Sequence, residues 1–320
     1  MFPFWKLQPY CSQRRPMKPP LCYVNMPKEL SAIEDMLNEQ GYIANRSIAM
    51  SIFLAMRLGK PLLVEGPAGV GKTEIAKVMA KALDTRLIRL QCYEGLDATH
   101  ALYEWNYQHQ LLYLKMEEGK ATNSSTLQEN IFSDTFLLKR PILEAITQDK
   151  SPVLLIDEID RADEEFESFL LEVLSDWQVT IPEIGTIKSV HKPYVIITGN
   201  RVRELSEALR RRCLYLWVEY PDFEKELAIV QGKVPGIDPQ LSIQICKFMQ
   251  ELRQMKLEKA PGVAETIDWA AALASLHFTH LDKEIVEDTL GVVLKDWQDI
   301  RHVQDSLSEL FDKVGVTKRF

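Results

Sequence analysis

The strongest constraint on this chain is the stretch from Pro61 to Thr73, Pro-Leu-Leu-Val-Glu-Gly-Pro-Ala-Gly-Val-Gly-Lys-Thr. Leu62 to Glu65 read as a short buried strand. Gly66, Pro67, Ala68, Gly69, Val70, Gly71, Lys72 and Thr73 then fit G-x-x-x-x-G-K-[ST] without a mismatch. Glu74 to Ala80 follow with helical composition and no breaker. Strand, glycine loop and helix together are the context in which this motif binds phosphate. The glycines open backbone conformations closed to residues with a Cβ. Loop N–H groups then turn inward onto phosphate oxygens, and the helix N-terminus adds partial positive charge. Lys72 is expected at the β- and γ-phosphates and the Thr73 hydroxyl on Mg²⁺. At average residue usage, a chance match in a chain of this length is about one in a hundred.

The chain has 320 residues, 46% hydrophobic and 26% charged. That is enough to bury a full core or two domains. The net charge of -8 argues against nucleic acid held by a basic face. Five widely spaced cysteines show no CxxC or zinc spacing, so reduced thiols and a cytoplasmic location are expected. No apolar run reaches the ~18 residues of a membrane span.

Residues 1–27 are proline-rich, with a basic cluster at Arg14, Arg15 and Lys18. They lack an apolar h-region and read as a disordered or loosely docked tail. Two helical patterns follow, Lys28 to Asn38 and Ile48 to near Gly59, parted by Gly41. The turn Gly41-Tyr42-Ile43 is either a place for an adenine or plain core. Arg86 to Leu90 is a strand candidate. Cys92 to Leu114 is rich in tyrosine and too irregular for one long helix, with Leu111 to Lys115 a candidate hairpin strand. It is either a partner-binding insertion or local packing. Asn123-Ser124-Ser125 is a loop.

Ser151 to Glu158, Ser-Pro-Val-Leu-Leu-Ile-Asp-Glu, is the second strong signal. Four consecutive apolar residues bounded by proline and acids describe a strand buried on both faces of a parallel sheet. Asp157 and Glu158 then stand at the carboxyl edge, where open α/β sheets bind ligands. Asp157 can hold Mg²⁺, and Glu158 can polarise an attacking water. The competing reading is a helix cap with a first-turn acid. Phe166 to Leu174 follows as a helix with an apolar face, and Val179 to Ile187 as a β-hairpin. The strand Tyr194 to Thr198 ends at Asn200, which either holds the attacking water with Glu158 or is a turn asparagine. Leu209-Arg210-Arg211-Arg212 closes a short helix before the strand Cys213 to Val218. Those arginines favour the helix dipole, and they also suit charge stabilisation at a neighbouring subunit's phosphate. Past Val218 every candidate element is helical, which implies a second, all-α domain of about 100 residues.

Taken in order, the loop, the Leu-Leu-Ile-Asp-Glu strand, Asn200 and the arginine before the last strand resemble AAA+ ATPases. Gln91-Cys92-Tyr93-Glu94-Gly95-Leu96-Asp97 and Ala101 to Tyr107 are similar to MoxR-type ATPases, nearest the group with the carbon monoxide dehydrogenase maturation ATPase CoxD. The resemblance covers about residues 28–320 and implies a parallel five-stranded P-loop NTPase sheet in the order 5-1-4-3-2, flanked by helices. It implies an AAA+ α/β domain over 28–221 and a small all-α lid domain over 222–320. ATP and Mg²⁺ are the implied cofactors. Contacts to ATP fall to Gly66 through Thr73, with Glu74 and Ile43, and contacts to Mg²⁺ fall to Thr73 and Asp157. Catalysis falls to Lys72, Glu158, Asn200 and, in trans, Arg212, with Arg211 second. The implied protein is a hexameric ring that remodels a client, a metalloenzyme under maturation, beside a partner with a von Willebrand factor A domain. One departure stands out. Ala260 to Thr266, where many relatives carry a lid arginine, holds none. Two readings compete: a P-loop small-molecule kinase, which would not need Glu158 or Arg212, and a nucleotide-gated scaffold or DNA motor, which the acidic charge disfavours.

Overall fold

The computed structural model describes residues 26–118, 127 and 130–315. Residues 1–25, most of the proline-rich tail, and the loop Asn123-Ser124-Ser125 lie outside them.

A five-stranded, all-parallel sheet forms the centre. Its strands are β1 (Leu62–Glu65), β2 (Leu87–Gln91), β5 (Val153–Asp157), β8 (Tyr194–Gly199) and β9 (Leu214–Trp217), in the spatial order β2-β5-β8-β1-β9. This is the implied strand order, read from the other edge. Register places Leu62 opposite Ile196 and Leu214, and Gln91 opposite Asp157. The middle strands are buried on both faces because their apolar residues alternate between two cores. Leu62, Val64, Val153, Leu155 and Ile196 pack with Ile48, Ile52, Ile75 and Met79 on one side. Leu63, Leu154, Ile156, Val195 and Ile197 pack with Leu143, Phe166 and Leu170 on the other.

The first side carries α1 (Met26–Glu39), α2 (Arg46–Leu58) and α3 (Lys72–Ala82). Asn45 caps α2 through the Ile48 N–H, and Gly59 ends it at φ 62°. The second side carries α6 (Pro141–Ile146) and α7 (Glu164–Asp176). The hairpin expected at Val179 to Ile187 forms as β6 (Gln178–Ile181) and β7 (Gly185–Lys188).

The stretch after β2 corrects one expectation. Leu111 to Lys115 is not a strand: it lies in α5 (Tyr107–Glu117). The local hairpin is instead β3 (Tyr103–Trp105) with β4 (Leu137–Lys139), preceded by α4 (Ala98–Leu102). Asn106 caps α5, and Tyr107 to Glu117 contains no β-branched residue, so helix wins over an apolar run that reads as strand. Leu111, Leu112 and Met116 project to solvent.

After α8 (Glu207–Arg212) and β9, no further strand occurs among the described residues. Five helices follow: α9 (Phe223–Lys233), α10 (Pro239–Gln254), α11 (Val263–Ser275), α12 (Lys283–Val293) and α13 (Trp297–Val314). Aspartates 222, 238, 282 and 296 cap four of them by accepting first-turn N–H groups. Their core centres on Trp269 against Phe248, with Val303 and Leu307. Within it, Glu226 is fully buried and takes both terminal nitrogens of Arg253, at 2.7 and 2.6 Å. None of the described helices is long and apolar enough to cross a membrane.

Candidate active site

The loop leaves β1 under tight steric control. A Cβ on Gly66 would stand 2.0 Å from the Val218 carbonyl oxygen, so only glycine lets β9 pass this closely. Gly69 and Gly71 sit at φ 74° and 89°, which turns the loop back onto the start of α3. The Lys72 side chain folds under the loop, donating to the carbonyls of Gly66 at 2.8 Å and Pro67 at 2.6 Å. Burial pulls the Lys72 pKa down, and the charges of Asp160, Asp157 and Glu158 pull it back up.

Parallel pairing brings the ends of β5, β8 and β2 to the same edge. Asp157 is 3% exposed and shared by three elements. Its Oδ1 accepts from Thr73 Oγ1 at 3.1 Å and Thr198 Oγ1 at 2.5 Å. Its Oδ2 accepts from Arg89, Nε at 3.0 Å and Nη2 at 2.6 Å. Glu158 follows in the left-handed region, φ 56° and ψ 50°, with its N–H on Thr198 Oγ1. A left-handed backbone is strained for a residue with a Cβ. The Glu158 carboxylate accepts from Asn200 Nδ2 at 3.4 Å and Gln91 Nε2 at 3.1 Å, and pairs with Arg161 at 2.9 Å. Asp160 supports the end of β8 by accepting the N–H groups of Asn200 and Val202 at 2.9 and 2.8 Å.

A cavity of about 420 Å³ opens over these groups. Lys72, Thr73, Glu74, Asp157, Glu158 and Asn200 line it, with Ala68 to Gly71 of the loop. Tyr42 and Ile43 also line it, as do Ile229 and Ile267 of the helical region. Tyr42 is therefore both core and cavity wall, and burial first, then the Glu74 charge, pushes its phenol pKa up. The Thr73 hydroxyl and the Asp157 carboxylate are hard oxygen donors of the kind magnesium takes, and they meet beside the loop's anion cradle. The donor set fits a magnesium-bound nucleoside polyphosphate.

Two expected residues stand apart. Arg212 is exposed, with Nε 3.3 Å from Ser175 Oγ, and Arg211 pairs with Glu207 at 2.7 Å. Neither lines the cavity of its own chain. Conversely, the sequence reading passed over Arg89, Gln91, Thr198 and Arg161. The missed signal was alternation in β2, whose pattern leaves Arg89 and Gln91 exposed on one face beside Asp157.

The helical region rests directly on the loop. The Val263 N–H donates to the Gly69 carbonyl at 2.9 Å. A Cβ on Gly262 would lie 2.7 Å from Gly69 Cα and 2.8 Å from the Ala68 oxygen. The stretch found to lack an arginine is thus packed backbone to backbone against the loop.

Residues 61–213 match the family model of the AAA domain, dynein-related subfamily. An uncharacterized protein of Staphylococcus aureus (strain USA300) is 29% identical over 251 residues, spanning 73% of this chain and 85% of the relative. One of Staphylococcus haemolyticus (strain JCSC1435) is 27% identical over 267 residues, spanning 80% and 94%. Among solved structures, the RuvB Holliday junction branch migration motor of Thermotoga maritima aligns at TM-score 0.43 and 17% identity, over 89% of this chain and 82% of that one. Residues 61–213 are thus similar to an AAA domain, and they hold the phosphate loop, Asp157, Glu158 and Asn200 on the five-stranded P-loop sheet.

Proposed function

We propose that the chain is a magnesium-dependent ATPase of the MoxR type, acting as a ring-forming chaperone on a client protein. The observation that carries this reading is the meeting of Thr73 with Asp157 at 3.1 Å and of Asn200 with Glu158 at 3.4 Å, beside the loop that buries Lys72. In this reading the loop N–H groups and Lys72 bind the β- and γ-phosphates of ATP. Thr73 and Asp157 would hold the magnesium ion, which when bound neutralises phosphate charge. Glu158 accepts a proton from the water that attacks the γ-phosphate, and Asn200 orients that water. The Lys72 ammonium stabilises charge spread over the phosphate oxygens.

Arg212 completes the site from a neighbouring subunit. Its exposure and its absence from the lining of its own cavity support a role in trans, which a hexameric ring would supply. The exposed apolar residues of the helix Tyr107–Glu117, which begins inside the tyrosine-rich stretch, support contact with a protein. A metalloenzyme under maturation, with a von Willebrand factor A domain partner in the cytoplasm, is the setting we infer from that resemblance.

Turnover per subunit against protein concentration tests the reading. It is expected to fall on dilution to monomer, and Arg212→Ala to lose turnover while keeping ATP affinity. Turnover that is flat on dilution and indifferent to Arg212→Ala would remove the ring mechanism.

A further inference from the structure

Four lysines line the cavity: Lys72, Lys77, Lys225 and Lys233. Three have partners. Lys72 donates to loop carbonyls, while Lys77 and Lys233 meet Glu74 at 3.1 and 3.6 Å. The ammonium of Lys225 has neither an ion pair nor a hydrogen bond among the described residues. Its neighbouring charge is Asp222, the cap of its own helix, whose carboxylate already accepts the Lys225 N–H at 2.9 Å. Burial pulls the Lys225 pKa down, and Asp222 offsets part of that fall. An ammonium drawn from water without a partner costs free energy unless an anion meets it.

The helix that bears it is set up to face the ligand. Lys225, Ile229 and Lys233 of α9 recur every fourth residue and form one stripe along the cavity. Lys233 ties one end of the stripe to Glu74, the residue after Thr73. Of the cavity's other carboxylates, Asp157 is engaged by Arg89, Thr73 and Thr198, and Glu158 by Gln91, Arg161 and Asn200, while the exposed Glu219 has no side-chain hydrogen bond or ion pair among the described residues. No cation enters from α11, whose lining residues are Val263, Ala264 and Ile267.

We propose that Lys225 is the nucleotide contact of the helical region, its ammonium binding the phosphate chain of a nucleoside di- or triphosphate held in the loop. This rests on the nucleotide-binding reading above. It gives the helical region a direct grip on the phosphates from α9, so lid position and phosphate occupancy become linked.

Titration calorimetry of the full chain with MgATP, MgADP and AMP tests this for wild type, Lys225→Met and Lys225→Arg. Lys225→Met is expected to weaken ATP and ADP binding about tenfold, the size of one charge-assisted hydrogen bond, with AMP changed less than about twofold. Lys225→Arg is expected to restore ATP affinity, and the melting temperature without nucleotide to be unchanged in both variants. Wild-type affinity for ATP in Lys225→Met, or an equal loss for all three nucleotides, overturns the proposal and leaves the nucleotide reading standing. No MgATP binding by wild type overturns both.

Discussion

The Gln91 side-chain amide donates to Oε2 of Glu158 at 3.1 Å, linking the end of β2 to the residue that follows β5. The same carboxylate takes Asn200 on its other oxygen, so Glu158 is oriented from two neighbouring strands. A base must be held within a fraction of an ångström to act on a bound water. Gln91→Ala is therefore expected to lower kcat roughly tenfold, as loss of an orienting partner does, with the Kd for MgATP unchanged. Steady-state turnover alongside equilibrium binding checks this. An equal change in both would place Gln91 in binding rather than orientation.

Gly262 touches Gly69 so closely that one methyl group must part them. Gly262→Ala is expected to lift α11 from the loop and weaken the bond from the Val263 N–H to the Gly69 carbonyl. Nucleotide affinity should fall about tenfold, the free energy of one or two backbone hydrogen bonds. Calorimetric binding of MgADP measures it. Gly232→Ala, at a helical site where a Cβ meets nothing within 4 Å, serves as control and should bind normally. Normal binding by Gly262→Ala would show the contact to be incidental.

The sheet was legible in the sequence because its strands are short apolar runs ended by polar or glycine residues at a functional edge. Leu62 to Glu65 and Val153 to Asp157 are such runs, and the loop motif ties them to phosphate. The pairs Arg89 with Asp157 and Gln91 with Glu158 were not legible, since they depend on which strand lies beside which. The helix at Tyr107 was misread because Leu-Leu-Tyr-Leu is apolar at every step and gives neither period. The absence of β-branched residues was the usable signal. That the Lys225 ammonium has no ion pair or hydrogen bond among the described residues is likewise a tertiary fact, since it depends on what packs around its helix.

Arg253 and Glu226 form a bidentate pair in the core of the helical region, joined by Thr266 and Gln250. Removing one partner strands a buried charge. Arg253→Met is expected to cost about 3–5 kcal/mol of stability. Pairing it with Glu226→Leu should recover most of that loss, because two apolar residues leave no orphaned charge. Chemical denaturation of the single and double variants decides. A single variant within about 1 kcal/mol of wild type, an ordinary surface effect, would mean the pair is solvated in solution.

Glu158→Gln tests the central claim most directly, because it keeps size and hydrogen-bonding reach while removing the basic oxygen. The measurement is ADP formed in a single turnover with excess enzyme and saturating magnesium, beside the Kd for MgATP. The account predicts wild-type affinity with the chemical step slowed by a factor of at least about a hundred, the range expected for loss of a general base. Hydrolysis at the wild-type rate by Glu158→Gln would contradict it.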